Sequence, residues 1–225
     1  MRTTTINDNL IQLTRMGFVN AYLVREDDGL TLVDTTMPRT GDALLAAARD
    51  AGAPIRRIAL THGHGDHVGS LDELKGKLGA EVQVLMPDLD ARIHAGEKVV
   101  DGKPKGSWPT LSTVPDVRLM PGDRIGSLEV VPSPGHTPGH IALLDTRDRS
   151  LIAGDVFTTI GSVQVSNHFY RRFPLAAMAT NDKDQDRASA RALRALDPQL
   201  LVVGHGPAVR GPGAQMDAAI RKAGG

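Results

Sequence analysis

Thr61-His62-Gly63-His64-Gly65-Asp66-His67 sets three imidazoles and a carboxylate side by side, directly after the apolar run Ile58-Ala59-Leu60. Imidazole nitrogen and carboxylate oxygen are ligands for divalent first-row metals. The chain contains 0 cysteines, so thiolate is excluded both as ligand and as nucleophile. The donor set points to zinc, with iron or manganese as second choices. His62 and His64 alternate as on extended backbone and can face one way, whereas Asp66 and His67 are adjacent and expected to diverge, which suits two ions better than one. Three more candidates lie far along the chain. His136 sits in Ser133-Pro134-Gly135-His136-Thr137-Pro138-Gly139-His140, Asp155 ends Leu151-Ile152-Ala153-Gly154, and His205 follows Leu200-Leu201-Val202-Val203-Gly204. Each comes after a short strand-like run and beside glycine, where backbone can turn sharply and bring a side chain to a shared centre.

With a His-x-His-x-Asp-His motif followed in order by His136, Asp155 and His205, the chain resembles the metallo-β-lactamase-fold hydrolases along nearly its whole length. The resemblance implies an α/β fold, a four-layer αββα sandwich, with two Zn2+ per chain. It assigns His62, His64 and His136 to the first zinc and Asp66, His67 and His205 to the second, with Asp155 bridging them. A bridging aspartate is found in the glyoxalase II-like thioesterases, lactonases and phosphodiesterases of the family and is missing from the true metallo-β-lactamases. Glyoxalase II proper carries a further C-terminal helical region, for which the segment after His205 is short. Acyl-homoserine lactonases carry a tyrosine where this chain runs Asp155-Val156-Phe157-Thr158.

Two divalent ions about 3.5–4 Å apart can share a water, lower its pKa and present hydroxide to a carbonyl that one ion polarises. Asp66 is the carboxylate placed to orient that hydroxide and pass its proton to the leaving group, which makes it the catalytic candidate as well as a ligand. The expected reaction is hydrolysis of a small ester, thioester or lactone. The alternatives are a phosphodiesterase using the same ions, weak promiscuous β-lactam hydrolysis, and a mononuclear iron dioxygenase or non-catalytic metal sensor.

Supporting candidates follow from position. Asp34, ending Leu30-Thr31-Leu32-Val33, reads either as a turn aspartate or as the carboxylate that fixes a ligand imidazole. His140 reads as structural and His94 as a solvated helix residue. Residues 86–108 and 158–180 are candidate pocket walls, the second carrying His168-Phe169-Tyr170-Arg171-Arg172-Phe173. That cluster could equally form a contact between copies.

The elements that must carry these residues are legible in outline. Strand-like runs cover 20–24, 30–33, 55–60, 81–85, 128–131, 140–144, 150–153 and 200–203, and helical patterns cover 42–50, 70–79, 184–196 and 213–223. Ser70-Leu71-Asp72-Glu73 has the form of a capping box. With 225 residues and 40% hydrophobic content the expectation is one domain over residues 1–225. Lys plus Arg equals Asp plus Glu at 26 each, so no bulk field draws nucleic acid or anionic membrane. The N-terminus has no apolar stretch of signal type, and no run is long enough to span a bilayer. The expected setting is the cytoplasm, with a small-molecule substrate as partner and a homodimer as the candidate assembly.

Overall fold

The computed structural model describes residues 1–224. It divides into two compact units, one formed by Met1–Glu97 with Ser107–Leu119, the other by Lys98–Gly106 with the chain from Met120 on. Each is a sheet covered by helices, the α/β class expected from the sequence.

In the first unit seven strands lie in chain order: β1 Arg2–Thr5, β2 Leu10–Arg15, β3 Val19–Glu26, β4 Gly29–Val33, β5 Ile55–Ala59, β6 Gln83–Pro87 and β7 Val117–Leu119. β1 to β4 run antiparallel, and β4 to β7 are parallel neighbours. Parallel strands need crossovers, and helices α1 Gly41–Asp50 and α3 Leu71–Leu78 supply two of them. Leu44 and Ala47 of α1, with Leu71 and Leu74 of α3, pack on Leu13, Leu23, Leu32, Ile58 and Val84 of the sheet. The expected capping box works across helices instead. Ser70 Oγ accepts from Thr40 N (2.9 Å) and the Glu73 carboxylate accepts from Gly41 N (3.2 Å), so both residues secure the start of α1.

The register brings three chain segments to one edge. Val33 pairs with Ala59 and Ala59 with Leu85, so β4 and β5 end level and β6 runs on to Pro87 at the same edge. After β4 comes Asp34; after β5 comes the histidine-rich segment, leading into the short helix α2 Gly65–Val68; after β6 comes helix α4 Asp88–His94. The carboxyl ends of parallel strands are where α/β folds place ligand-binding groups.

The second unit has a six-stranded sheet made of β8 Arg124–Ile125, β9 Leu128–Pro132, β10 Ile141–Asp145, β11 Ser150–Ile152, β14 Leu200–Val202 and β15 Val209–Arg210. A small ribbon pairs β12 Phe157–Thr158 with β13 Gln164–Val165. Helices α5 Leu175–Ala179, α6 Lys183–Ala195 and α7 Gly213–Lys222 complete it. Asp182 caps α6, accepting from Asp184 N at 3.0 Å and Gln185 N at 2.9 Å. Ala190, Leu193, Met216 and Ala219 cover Leu144, Leu151, Leu201 and Val203. β11 and β14 are parallel, with Ile152 opposite Val202, so the segments holding Asp155 and His205 leave the same edge. His136 lies in the turn joining the antiparallel pair β9 and β10, which Ser133 N closes by donating to His140 O (3.1 Å).

Candidate metal centre

In the first unit, His62 and His64 on the loop after β5 and His67 in α2 are buried and gathered together, with the His62 ring centroid 4.9 Å from that of His64 and 4.0 Å from that of His67. His62 and His64 thus face together, as alternation predicts. Asp66 and His67 do not diverge: both lie in α2, and Asp66 Oδ2 is 4.0 Å from His67 Nε2. A helical turn separates neighbours by less than a strand does, and the long imidazole closes the rest.

Asp34 settles the tautomers. Its carboxylate accepts from Thr61 N (2.8 Å), Thr61 Oγ1 (2.9 Å) and His67 Nδ1 (2.8 Å). Of the two readings of Asp34, the fixing carboxylate is the observed one. His67 therefore carries its hydrogen on Nδ1 and its lone pair on Nε2. Because the Thr61 hydroxyl hydrogen goes to Asp34, its oxygen accepts from His62 Nδ1 at 3.0 Å, and His62 takes the same tautomer. Burial of Asp34 at 2% exposure keeps water from competing for these bonds.

In the second unit, Asp155 Oδ2 lies 3.0 Å from His205 Nε2 and 3.5 Å from His136 Nε2, with all three side chains buried. His136 Nδ1 meets Thr180 Oγ1 at 3.0 Å, and that hydroxyl donates to the Ala176 carbonyl at 2.8 Å. So Thr180 accepts from His136, which again leaves the lone pair on Nε2. His140 uses both ring nitrogens within the protein: Nε2 accepts from Asp155 N (3.0 Å) and Nδ1 donates to Ser133 Oγ (2.9 Å). It is structural, as expected, and it anchors the backbone of Asp155.

The His136 turn is held from behind by the start of α6. Asp182 N donates to Gly135 O (2.9 Å), Asn181 N to His136 O (3.1 Å), and Ser189 Oγ to Pro134 O (2.6 Å). Gly135 sits at φ +131°, and a Cβ there would overlap the Asp186 backbone nitrogen. Asp186 is fully buried, with both carboxyl oxygens lacking a hydrogen-bond partner among the described residues. Burial raises its pKa well above the ordinary carboxylate value, and the carboxylates of Asp155 and Asp182 add to the effect.

His94 is a correction to the sequence reading. It is half-buried, its Nε2 is 2.9 Å from Gly63 O and its Nδ1 3.1 Å from Pro109 O, and burial lowers its pKa. Trp108 packs beside it, with ring centroids 5.3 Å from His94 and 5.3 Å from His64. Asp90, whose carboxylate accepts from Gly63 N at 2.8 Å, and Thr180 escaped notice because nothing local marks an acid or a hydroxyl for such a partner. Of the second wall segment, Phe173 is buried with its ring 4.8 Å from His205, while Phe169, Arg171 and Arg172 are exposed. His168 Nδ1 lies 3.4 Å from Asn167 Oδ1, and Tyr170 OH lies 3.4 Å from Ser162 Oγ.

The buried imidazoles of His62, His67 and His136, each with Nδ1 hydrogen-bonded to a protein oxygen, beside carboxylates, fit a divalent cation. Comparison with known proteins agrees. Residues 14–205 match the family model of the metallo-beta-lactamase superfamily. The uncharacterized protein YobT of Bacillus subtilis (strain 168) is 40% identical over 91% of this chain and 90% of its own length. A hydroxyacylglutathione hydrolase of Rhodopseudomonas palustris (strain HaA2) is 31% identical over 66% of this chain, which spans 52% of that protein. Among solved structures, TTHA1623 in a di-iron-bound form superposes with a TM-score of 0.64 at 27% identity, covering 90% of this chain and 94% of that one. Motif, fold and relatives coincide: the chain belongs to the metallo-β-lactamase superfamily and is a metal-dependent hydrolase.

Proposed function

We propose that the chain is a dinuclear zinc hydrolase cleaving a small ester, thioester or lactone, with His62, His64 and His136 holding one ion, Asp66, His67 and His205 the other, and Asp155 shared. The observation that carries the reading is the common tautomer of His62, His67 and His136, each with Nδ1 hydrogen-bonded to a protein oxygen. A fixed Nε2 lone pair on several buried imidazoles is what metal ligation requires. When bound, the ions supply Lewis acidity and a nucleophile at neutral pH. The chain's own groups orient and move protons. Asp34 and Thr180 hold the ligand rings, and His140 holds the backbone of Asp155. Asp66, with a side chain 33% exposed, is the carboxylate that can reach a proton on an incoming molecule and deliver it to the leaving group.

A carbonyl substrate is supported by the hydroxyacylglutathione hydrolase relatives, named for an acyl derivative. The chain spans about half of the relative compared above, so its glutathione specificity is not carried over. The di-iron-bound structural relative supports a pair of ions and makes iron the second reading of the metal.

Elemental analysis of protein purified without added metal, followed by assay of the same sample on thioesters, lactones, bis(p-nitrophenyl) phosphate and a chromogenic cephalosporin, tests the proposal. The expected result is about two zincs per chain and turnover highest on a thioester or lactone. A single metal, or turnover confined to the phosphodiester, overturns it.

A further inference from the structure

The residue between the first two histidines of the motif is gripped at both ends of its polar backbone. Gly63 N donates to Asp90 Oδ2 at 2.8 Å, and Gly63 O lies 2.9 Å from His94 Nε2. Asp90 and His94 are four residues apart on α4 and so stand one above the other on a single helix face. Asp90 is fully buried, and His94 Nδ1 lies 3.1 Å from Pro109 O. The indole of Trp108 closes the remaining side: a Cβ built on Gly63 would lie 2.5 Å from Trp108 Cζ3 and 2.8 Å from His94 Nε2. A side chain there would have to displace the indole edge or the His94 ring. A residue that only linked two ligands would need none of this, since a turn at the sheet edge could leave its amide and carbonyl to water.

We propose that Asp90 and His94 are positioning residues that set the bite of His62 and His64, the spacing and tilt at which the two imidazoles meet a metal ion. The mechanism is geometric. His62 is fixed from the other side by Thr61, whose amide and hydroxyl are bonded to Asp34, so the chain enters the bite already oriented. With the His62–Gly63 peptide plane pinned by Asp90 and the Gly63–His64 plane by His94, the backbone torsions of Gly63 are held and the freedom left between the two rings is in their own side-chain torsions. Loss of either contact frees its plane to rotate and moves His64 relative to His62. The inference rests on the proposed metal centre and adds to it residues outside the ligand set.

The test is titration of metal-free protein with Co2+, following the visible absorption of the bound ion together with stoichiometry, in the wild type and in His94→Leu, His94→Gln, Asp90→Ala and Asp90→Asn. Glutamine can still donate to Gly63 O and asparagine can still accept from Gly63 N. His94→Leu and Asp90→Ala are expected to weaken Co2+ binding about 10–100-fold and to shift the visible spectrum, with His94→Gln and Asp90→Asn restoring most of both. Thermal midpoints of the metal-free proteins separate this from general loosening, because a structural role alone lowers the midpoint without changing the spectrum of the ion that still binds. Should Asp90→Ala fail to fold, His94→Leu carries the test, since His94 is half-buried where Asp90 is fully buried. Wild-type affinity and spectrum in His94→Leu would overturn the proposal. A wild type that binds no Co2+ refutes the metal-centre reading itself, and the clamp with it.

Discussion

Replacing Asp34 by alanine removes the acceptor of three buried donors: Thr61 N, Thr61 Oγ1 and His67 Nδ1. The hydroxyl can rotate toward another acceptor, but the amide and the imidazole N–H cannot. Two stranded donors at about 1–3 kcal/mol each give a loss of about 2–6 kcal/mol. Asp34 also sits at φ +62°, a left-handed conformation that alanine tolerates poorly, which adds about 1 kcal/mol. At about 2–4 °C per kcal/mol for a chain of this size, a total of about 3–7 kcal/mol should lower the melting point of the metal-free variant by about 6–28 °C. Asp34→Asn separates stability from ligation. Its amide oxygen can keep Thr61 N and its backbone tolerates φ > 0, but its NH2 must face the Thr61 hydroxyl or the His67 Nδ1–H. The cheapest relief is for His67 to move its hydrogen to Nε2, which spoils that nitrogen as a ligand. Asp34→Asn should therefore lose less stability than Asp34→Ala and at least as much metal affinity, about 10–100-fold. Circular dichroism melts on metal-free protein, with metal content by elemental analysis, read both. An Asp34→Asn protein that melts with the wild type and retains its full metal complement would refute the tautomer argument.

Two further predictions concern the second unit. Gly135→Ala forces a Cβ against the Asp186 backbone at a positive φ, so the His136 turn must pull away from α6; the variant should lose metal and most activity while circular dichroism shows the helices retained. A wild-type metal content in folded Gly135→Ala would show that this close approach is dispensable. For Asp186, the folded-state pKa lies above the unfolded value of about 3.9, so the native state holds its proton more tightly. The penalty is absent below about pH 4, grows as pH rises toward the native pKa, and is constant above it. Asp186→Asn has no proton to lose, so in metal-free protein its melting temperature should gain on the wild type as pH rises from 4 to 8. Parallel pH profiles of the two proteins would refute the assignment.

What could be read in advance was whatever one residue type signals by itself. Glycine-flanked histidines after apolar runs mark a metal loop, and short apolar runs such as those of β3, β4 and β10 mark buried strands, so ligand candidates and much of the sheet were legible. Partnerships decided by register were not. Ser70 and Glu73 form the local pattern of a capping box, yet α3 lies beside α1, and the hydroxyl and carboxylate serve the neighbour instead. His94 looks like any polar residue on a short helix. Only the alignment of β5 with β6, which puts α4 next to Gly63, turns it inward. The expected divergence of Asp66 and His67 failed because extended geometry was carried one step too far, into the first turn of α2. β1 and β2 escaped notice because a threonine run and a mixed Leu-Ile-Gln-Leu-Thr-Arg segment acquire their strand character from pairing with β3 and with each other.

Trp108 is the single tryptophan among the 225 residues. Its ring stands 5.3 Å from the His64 imidazole, within the distance over which a fluorophore senses a change of charge or a quenching ion. The protein thus carries a built-in optical reporter beside the segment that holds its first two histidines, with no second indole to dilute the signal. Metal loading, its loss to a chelator and the arrival of a small molecule beside His64 can all be followed on unlabelled, unmodified chain, in real time, before any substrate is known.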